Sequence, residues 1–505
     1  MNTTRKKPDR VNVSGADAAT VPGRGAGIVA DTAACYRALA SHDSRFDGQF
    51  FVGVSSTRIY CRPVCRVRLP QKKNCTFFSS APAAETAGFR PCLRCRPELA
   101  PGWSSTDISA QLAVSAARLI DDGLHRGDKI PDFAARLGVS DRHLRRVFEA
   151  KFGVTPVDYL QTQRLLLAKR LLTDTDMSVT DIASAAGFGS VRRLNASMRD
   201  RYRLNPTELR SKRQARPEPD GLLRFNLSVR EPFDFDWICG YFASRAIDGL
   251  ELVDANSYQR TVRVDGPSGP MTGWIRLSAK QAGQLELDIS PSLALAVGPV
   301  FRLVRQLFDL DADPQTYLPV LGALGEKHPG LRVPGSASGF EIAVRAVLGQ
   351  QITVKAARTL AQRFVLRFGE KISTNDHQFL THSFPHPSRI AGAHLSSIAE
   401  LGIISRRAQT IRQLAKSIRN EQLDLSGRAS VEKTMAQLNQ ISGIGDWTAQ
   451  YIAMRALRWP DAFPAADYGV MKALSVKTAS QARHLAQPWR PWRAYGVMHL
   501  WASLH

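Results

Sequence analysis

The chain has few cysteines, no long apolar run and fewer acidic than basic residues. Seven cysteines in 505 residues argue against a disulfide framework, and six of the seven fall before residue 100. No stretch approaches about 18 consecutive apolar residues, and the basic N-terminus lacks an apolar segment of signal-peptide length. We therefore expect a cytoplasmic protein without a membrane partner, in which the clustered cysteines serve a metal or redox purpose.

The shortage of acidic residues leaves a strongly basic chain. Lys and Arg number 68 against 45 Asp and Glu, which gives a formal net charge of +23. This balance favours a polyanionic partner, with nucleic acid as the leading candidate, although binding to a membrane surface or simple solubility would also fit a basic chain. A chain of this length is expected to form two to four domains, each with its own core.

Composition and periodicity divide the chain at two polar breaks, 97–102 and 210–221. Short β-like runs such as 49–54 accompany the cysteines, helical patterning follows, and strand-like stretches come after the second break. The predicted fold class is a multidomain α+β chain. Its predicted segments are a disordered leader (1–30), a small four-cysteine domain (31–100), an all-α domain (105–213), an α+β domain (220–297) and an all-α C-terminal domain (298–505).

Two short cysteine pairs dominate the small domain. Three residues separate Cys61 from Cys65 and two separate Cys92 from Cys95, a spacing that lets four thiolates close one tetrahedral zinc site. Spacing alone favours a purely structural zinc, since most four-cysteine sites are closed and inert. Flanking arginines would draw in a phosphate backbone and so favour reactivity: Arg62, Arg66, Arg68, Arg90, Arg94 and Arg96.

Three motifs of this domain resemble the N-terminal zinc domain of the Ada methylation-response regulators. They are Phe-Asp-Gly-Gln-Phe-Phe-Val-Gly-Val (46–54), Tyr-Cys-Arg-Pro-Val-Cys-Arg (60–66) and Gly-Phe-Arg-Pro-Cys-Leu-Arg-Cys (88–95). The resemblance implies that Cys61 accepts a methyl group from a methylphosphotriester in DNA, with Cys65, Cys92 and Cys95 as the other zinc ligands. Methylation would remove one of the two net negative charges of a four-thiolate zinc site, which would reduce repulsion from phosphates and raise DNA affinity.

The all-α segment carries two helix-turn-helix patterns, at 130–148 and 179–194. Each has apolar residues at helical spacing and a Gly at the turn, and Ser140 is placed to cap a second helix. Two copies, followed by Phe-Gly-Val-Thr-Pro (152–156) and Tyr-Arg-Leu-Asn-Pro (202–206), are similar to the AraC-type DNA-binding domain. The resemblance implies activation of transcription with RNA polymerase as partner. Candidate DNA contacts, each of which a solvated helix face would also explain, are Arg142, Arg145, Arg192 and Arg193.

The C-terminal half combines a glycine turn with aromatic residues. Gly443 and Gly445 permit a tight turn whose backbone N–H groups can face a phosphate, directly or through a monovalent cation. Several aromatics converging on a carboxylate suit a reaction that stacks a flipped base while positive charge develops on its sugar. An aromatic stripe without the carboxylate is more often core packing. The residues concerned are Trp447, Tyr451, Asp467 and Trp501.

Residues 220–505 resemble the helix-hairpin-helix glycosylases, and within them the AlkA type of 3-methyladenine DNA glycosylase II. Further similar runs lie at 231–247 and 341–353. The resemblance implies that Asp467 is the catalytic carboxylate and that the base pocket is lined by Trp447, Tyr451, Trp501 and Tyr241. Two positions depart from the family pattern. Gln351 stands where the family places an apolar wedge against DNA, and Gly469 replaces a larger residue near Asp467.

Position 447 also bears on the product. Bifunctional relatives carry a Lys there, whose amine forms a Schiff base and cuts the backbone, whereas this chain has Trp447. The resemblance therefore implies a monofunctional glycosylase that excises 3-methyladenine and 7-methylguanine and leaves abasic sites.

Three interpretations follow from these patterns. The leading one is a nucleoid-associated fusion of a methyl-accepting zinc domain, an AraC-type activator and an alkylbase glycosylase, acting on damaged and promoter double-stranded DNA. A second is a transcription regulator whose C-terminal half only scans DNA, and a third reduces the zinc domain to a structural DNA clamp. The sequence lacks the Pro-Cys-His-Arg motif of the O6-methylguanine methyltransferase domain, so reversal of that lesion is not expected.

Overall fold

A computed structural model describes residues 29, 31–43, 46–100, 111–123, 129–211, 221–372, 377–427 and 430–504. Apart from Val29, the predicted disordered leader (1–30) lies outside the described residues. None of the helices described is both long enough and apolar enough to cross a membrane. Four modules succeed one another along the chain, called here the N-terminal module (31–100), the helical module (111–211), the α+β module (221–296) and the C-terminal module (297–504).

The N-terminal module is built on a small sheet. Its elements are α1 (Thr32–Ala40), β1 (Phe51–Val54), β2 (Ile59–Cys61), β3 (Cys75–Phe78), α2 (Ala81–Thr86) and β4 (Arg90–Pro91). The strand order is β3-β1-β2-β4, and Val52 of β1 pairs with Cys61 at the end of β2. Asp31 caps α1, because its carboxylate accepts from the amides of Ala33 and Ala34. The sheet thus places Cys61 where strand gives way to loop.

The helical module contains the two helix-turn-helix pairs that the sequence predicts, and a long central helix joins them. Gly138 and Gly187 adopt φ values of 69° and 76° at the two turns, a conformation that favours glycine. Ser140 and Ser190 cap the second helix of each pair. The elements are α3 (Gln111–Gly123), α4 (Ile130–Arg136), α5 (Asp141–Phe152), α6 (Pro156–Asp174), α7 (Val179–Ala185), α8 (Val191–Tyr202) and α9 (Pro206–Ser211).

The α+β module is an antiparallel sheet with one packed helix. Its elements are β5 (Leu223–Ser228), α10 (Phe235–Ala243), β6 (Glu251–Val253), β7 (Ser257–Gly266), β8 (Gly269–Gln281) and β9 (Gln284–Ile289). The strand order is β5-β9-β8-β7-β6, which leaves β5 at one edge of the sheet. Leu227 of β5 pairs with Leu285 of β9, and both are buried in the core. Helix α10 carries Tyr241 towards the C-terminal module.

The C-terminal module is helical around a buried central helix, α14. Its helices are α11 (Val297–Leu307), α12 (Pro314–Leu321), α13 (Ala323–Glu326), α14 (Gly339–Leu348), α15 (Val354–Phe368), α16 (Pro387–Ala391), α17 (Leu395–Ala399), α18 (Ser405–Arg419), α19 (Val431–Asn439), α20 (Asp446–Arg455), α21 (Tyr468–Ala473), α22 (Ala479–Leu485) and α23 (Arg493–Ala502). Helix α14 is buried on most of its surface because α15, α18 and α20 pack around it, and its two charged residues, Glu341 and Arg345, pair with each other. The turn between α19 and α20 is the predicted glycine hairpin.

Glu85 of α2 joins the N-terminal and helical modules through a buried polar cluster. Its Oε1 accepts from the hydroxyls of Tyr60 (2.9 Å) and Tyr202 (3.0 Å), and its Oε2 accepts from the Thr162 hydroxyl (3.1 Å). Tyr60 precedes Cys61 on β2, while Tyr202 ends helix α8 of the second helix-turn-helix pair. The cluster therefore ties the cysteine-bearing strand directly to a helix proposed to contact DNA.

We predict that ionisation of Glu85 destabilises the protein as pH rises. Burial raises the pKa of Glu85 from 4.5 to about 7, despite the hydrogen bonds that it accepts. Between these two values the unfolded chain loses the proton first, so the free energy of unfolding falls with rising pH by about 3 kcal/mol. Thermal unfolding at pH 5 and pH 8 should show a smaller pH effect in Glu85→Gln than in the exposed control Glu149→Gln. Equal pH dependence in both variants would contradict this assignment.

Candidate active site and metal centre

Asp467 is held by three N–H donors at the start of α21. Its Oδ1 accepts from the Val470 amide (3.0 Å) and from the Trp501 indole (2.9 Å), while its Oδ2 accepts from the Trp447 indole (2.9 Å). The two indoles come from α23 and α20, so three helices fix one carboxylate. A Cβ on Gly469 would lie 3.1 Å from Oδ1 and 3.0 Å from the Trp501 ring. The missing side chain at position 469 therefore leaves room for this arrangement.

The aromatic side chains predicted to line a base pocket surround Asp467. Trp447 and Tyr451 lie with ring centroids 5.5 Å apart, and the rings of Tyr241 and Trp501 are nearly parallel, at 6.4 Å and 13°. Trp237 stacks on Tyr241 from one helical turn away, at 5.7 Å. These residues line a cavity of about 820 Å³ that includes Asp467. Around Asp467 its walls are aromatic and planar, which suits a flat, electron-poor ring, and charged side chains such as Glu251 and Arg345 line other parts of the cavity.

A buried cation that the sequence reasoning missed lies behind this cavity. Arg455 is 5% exposed, and its Nη1 donates to the hydroxyls of Tyr241 (3.0 Å) and Tyr451 (2.8 Å). Its other nitrogens donate to the carbonyls of Pro334 and Gly335. Arg455 follows Tyr451 by four residues on α20, one helical turn, and this spacing is the signal that could have revealed it.

The pKa values of the Tyr241 and Tyr451 hydroxyls are shifted in opposite directions. The two hydroxyls lie 3.4 Å from each other, and burial raises the pKa of Tyr241 to about 12. Burial acts in the same direction on Tyr451, but the nearby guanidinium groups of Arg455 and Arg245 outweigh it, so the pKa of Tyr451 is lowered. Arg455 donates to both oxygens, and the two hydroxyls are also within hydrogen-bond distance of each other, so one hydroxyl donates its proton to the other. The pair therefore leaves one hydroxyl proton that can be donated into the cavity.

The glycine hairpin between α19 and α20 is tied to its surroundings. The Thr410 hydroxyl donates to the Ser442 carbonyl (2.8 Å), and the Gln350 side chain donates to the Gly443 carbonyl (2.9 Å) and to Thr448. Two hairpin carbonyls thus already accept hydrogen bonds, and the monovalent cation at this turn stays a prediction. Gln350, which the sequence reasoning did not single out, joins the hairpin to the loop that follows α14.

Gln351 projects from the loop after α14. Its side chain is exposed, and its φ of 55° lies in the left-handed region, which costs a non-glycine residue conformational energy. The neighbouring Gln350 anchors the backbone at this point, so the strained residue is held at a defined position. Gln351 is predicted to contact DNA, at the position where the family places an apolar wedge, and which residue acts as the wedge in this chain is not assigned.

We predict that Gly443→Ala disrupts the hairpin. Gly443 has a φ of 92°, and an added Cβ would lie 2.1 Å from the Thr410 hydroxyl oxygen, so the substitution should cost on the order of 3 kcal/mol of local stability and weaken DNA binding. Gly445→Ala is the matched control, because no atom lies within 4 Å of its added Cβ and its φ is −95°. Thermal unfolding of both variants and DNA titration of Gly443→Ala test this, and equal losses of stability in the two variants would contradict the stated role of Gly443.

The four predicted cysteine ligands meet in the N-terminal module. The sulfurs of Cys61, Cys65, Cys92 and Cys95 all lie within 4.8 Å of one another. A tetrahedral ion with Zn–S bonds of ~2.3 Å separates its sulfurs by roughly 3.8 Å, so the donor set fits one Zn²⁺. Backbone amides support the sulfurs: the Arg62 amide donates to Cys95 Sγ and the Arg94 amide to Cys92 Sγ, both at 3.4 Å. Cys35 and Cys75 lie outside this group.

Two of the flanking arginines are not available to attract phosphate, which corrects the sequence prediction. Arg62 is buried and pairs with Asp47, and Arg96 pairs with Glu98 and Asp174. Both guanidinium groups form ion pairs with carboxylates. The spacing of residues along the sequence does not predict these contacts. Three others are exposed beside the cysteine site, namely Arg66, Arg68 and Arg94, while Arg90 is half-buried.

The predicted DNA contacts of the helical module lie on the second helix of each pair. Arg142 is exposed in the first turn of α5, and Arg192 and Arg193 are exposed in the first turn of α8. Arg145 is only 40% exposed and pairs with Asp141 of the same helix at 2.9 Å. Three of the four guanidinium groups are therefore presented to solvent at helix N-termini, where recognition helices contact base edges.

Comparison with known families agrees with the architecture of all four modules. The chain matches the metal binding domain of Ada over residues 34–98, a helix-turn-helix domain over 133–212, the AlkA N-terminal domain over 224–338 and the HhH-GPD superfamily of base excision DNA repair proteins over 344–487. Fold and site together define a DNA glycosylase joined to a zinc-binding, DNA-binding regulator. The resemblances stated from the sequence are confirmed.

Comparison with individual proteins identifies the family of the chain more narrowly. A Mycobacterium tuberculosis protein, described as a probable bifunctional transcriptional activator/DNA repair enzyme AlkA, is 37% identical over 489 residues, which are 93% of this chain and 96% of that protein. DNA-3-methyladenine glycosylase 2 of Escherichia coli is 32% identical over 55% of this chain and 96% of its own. The solved 3-methyladenine DNA-glycosylase from Archaeoglobus fulgidus is 22% identical, with a TM-score of 0.48, over 55% of this chain and 97% of its own. The chain belongs to the AlkA family of bifunctional transcriptional activators and DNA repair enzymes.

Proposed function

We propose that the α+β and C-terminal modules excise 3-methyladenine and 7-methylguanine from duplex DNA, with Asp467 as the catalytic carboxylate. The observation that carries this proposal is the Asp467 carboxylate, oriented by two indole N–H groups beside the aromatic rings of a cavity of about 820 Å³. A flipped alkylated base is flat and cationic, so it gains stacking and cation–π energy between these rings. Of the carboxylates described around the cavity, Asp467 is the one that accepts hydrogen bonds from the indoles of Trp447 and Trp501.

The reaction follows from this placement. The bond between sugar C1′ and the base nitrogen breaks, and its electron pair goes to the cationic base, which leaves as a neutral molecule. Asp467 stabilises the positive charge that develops on the sugar and orients a water molecule, whose oxygen bonds to C1′ and whose proton is released. Trp447 and Trp501 keep the carboxylate in position without changing its charge.

The product is an abasic site with an intact DNA backbone. Strand cleavage would require an amine that attacks C1′, and none of the residues described as lining the cavity is a lysine. Trp447 occupies the position where such an amine would act. Products should therefore break only after treatment with alkali.

The N-terminal module is proposed to accept a methyl group at Cys61. The Cys61 sulfur bonds to the methyl carbon of a DNA methylphosphotriester, the O–CH₃ bond breaks, and its electron pair stays on the phosphate oxygen as a restored phosphodiester anion. Bound zinc keeps the thiolates deprotonated at neutral pH. Exposure does not select Cys61, since it is 4% exposed and Cys95 is the most exposed of the four. The choice of Cys61 comes from the family resemblance.

The protein is further proposed to associate with the nucleoid and, once Cys61 is methylated, to activate transcription. The helical module would bind the promoter, with RNA polymerase as partner. Exposed arginines at the N-termini of α5 and α8 support DNA contact, and the Glu85 cluster links the cysteine strand to α8.

We predict that methylated protein binds its own upstream DNA at least 10-fold more tightly than unmethylated protein at fixed salt, because loss of a negative charge reduces phosphate repulsion. Titration by fluorescence anisotropy tests this, and equal affinities would reduce the module to a clamp.

One experiment tests both halves together. The zinc-loaded protein is incubated with DNA carrying methyl label on bases and on phosphotriesters, and free base and protein-bound label are followed separately. Release of labelled 3-methyladenine together with stoichiometric label on the protein is the expected result. Label on the protein without base release would favour a regulator whose C-terminal half only scans DNA.

A further inference from the structure

The residue that follows Cys61 reaches out of the N-terminal module. Arg62 is 6% exposed, its Nε donates to Asp47 Oδ1 at 2.8 Å and its Nη1 donates to the Cys95 carbonyl at 3.1 Å. Its Nη2 also donates to the hydroxyl of Ser228, on edge strand β5 of the α+β module, at 3.0 Å. One guanidinium therefore contacts an acid of its own module, the cysteine site and the sheet of the glycosylase half.

Two further contacts surround this one. Arg230, just beyond β5, donates through Nε to the Asp47 carbonyl (3.1 Å), and the Gln49 side chain donates to Asp313. We call the six residues the Arg62 interface: Asp47, Gln49 and Arg62 on one side and Ser228, Arg230 and Asp313 on the other. All but Gln49 are less than 9% exposed, so these polar groups rely on one another rather than on water.

The Arg62 interface is polar, whereas the helical module joins the glycosylase half through a shared apolar core. Leu167 and Leu171 of α6 belong to the same hydrophobic cluster as Leu227 and Val300. In the described residues, the apolar clusters of the N-terminal module include Leu166 of α6 but no side chain of the glycosylase half. Small polar contacts between domains resemble transient interfaces, and a buried ionic network loses stability abruptly once one partner leaves. The Arg62 interface is thus suited to open and close as a unit.

Opening matters because of where Cys61 lies. A methyl donor in duplex DNA must approach the Cys61 sulfur, which is 4% exposed, and Cys61 and Arg62 share a peptide bond. Displacing this segment towards DNA pulls Arg62 away from Ser228. Once released, Arg62 adds a cation beside the reactive sulfur, where it can contact the phosphate backbone. While seated on β5, the same guanidinium is unavailable to DNA.

We propose that β5 is a docking surface for the N-terminal module, and that docking through the Arg62 interface holds the methyl-acceptor site closed until DNA displaces it. Methyl transfer at Cys61 is then coupled to release from the glycosylase half, and linkage requires that docking and DNA binding at this module weaken each other. The proposal rests on the methyl-acceptor function proposed above. It adds that the glycosylase half regulates that function.

The test uses full-length, zinc-loaded protein with a duplex that carries one methylphosphotriester. Ser228→Arg places a second cation against Arg62 and should open the interface, and Ser228→Ala removes only one hydrogen bond and guards against misfolding. Methyl transfer should become about 10-fold faster in Ser228→Arg and less so in Ser228→Ala, while base excision stays within about twofold of wild type. Ser278→Arg, on strand β8 of the same sheet, two strands from β5 and outside the Arg62 interface, is the matched control and should behave as wild type.

Hydrogen exchange gives a readout that does not depend on catalysis. Segments 46–52 and 226–230 should exchange faster in Ser228→Arg than in wild type. Wild-type rates of both methyl transfer and exchange in the two Ser228 variants would overturn the docking proposal and leave the acceptor assignment standing. A wild-type protein that takes no methyl group at Cys61 would overturn the acceptor assignment, and the docking proposal with it.

Discussion

Asp467→Asn should lower the single-turnover rate of 3-methyladenine excision by on the order of 1,000-fold while leaving DNA affinity nearly unchanged. The carboxylate charge is needed only as the glycosidic bond breaks, whereas the hairpin at Gly443 is proposed to contact DNA in every state. An amide also has only one acceptor atom. With its oxygen held by Val470 and Trp501, its NH₂ group must face the Trp447 indole N–H, donor against donor. Pre-steady-state base release and DNA titration of the same preparation measure the two quantities.

Asp446→Asn provides the matched control. Asp446 begins α20 and pairs with Arg483 at the surface, so this substitution removes the same charge from the same module without reaching the aromatic cavity. Excision by Asp446→Asn should stay within about twofold of wild type. If Asp467→Asn excises at the wild-type rate, another group supplies the charge at the sugar.

Cys61→Ser should abolish methyl uptake from a methylphosphotriester and leave base excision intact. A serine hydroxyl is not ionised at neutral pH and is a far weaker nucleophile than a zinc-bound thiolate, so protein-bound label should fall to background. Peptide mapping of the labelled wild type should place the methyl group on Cys61. Zinc content should fall in the variant as well, because three thiolates and a hydroxyl bind the ion less tightly than four thiolates.

The control for this variant is Cys75→Ser. Cys75 is a partly exposed thiol in the same module, outside the four-sulfur group, and its Sγ donates to the Gln71 carbonyl. Its replacement should change neither the zinc content nor the amount of methyl label bound to the protein. Label mapped to Cys95, the most exposed of the four ligands, would show that exposure rather than the family pattern selects the acceptor.

Some of this site was readable from the sequence. The cysteine spacing identified four ligands, because metal geometry restricts how far apart paired ligands can stand. Asp467 and its indole partners are 20 and 34 residues apart and share no periodicity, so they were assembled through family resemblance rather than by spacing. Arg455 escaped notice although it stands one turn from Tyr451, because an arginine on a helix usually faces solvent.

Contacts between modules were not predicted at all. The Glu85 cluster joins residues separated by 25, 77 and 117 positions, and Arg62 meets Ser228 across 166 positions. Nothing in local patterning marks a residue for a distant partner. For the same reason Arg62 was assigned to DNA when the structure pairs it with Asp47. Periodicity reports which face of an element is buried, and it carries no information about what buries it.

The two indoles that donate to Asp467 also give the site an intrinsic fluorescence signal. Trp447 and Trp501 each donate to the same carboxylate, and Trp237 stacks one ring further away on Tyr241. Three of the eight tryptophans of the chain therefore surround the space that a base would occupy. A cationic ring entering that space would stack on these indoles and quench their emission, so intrinsic fluorescence should follow base entry in real time, before any bond is broken and without a dye attached to the protein or the DNA.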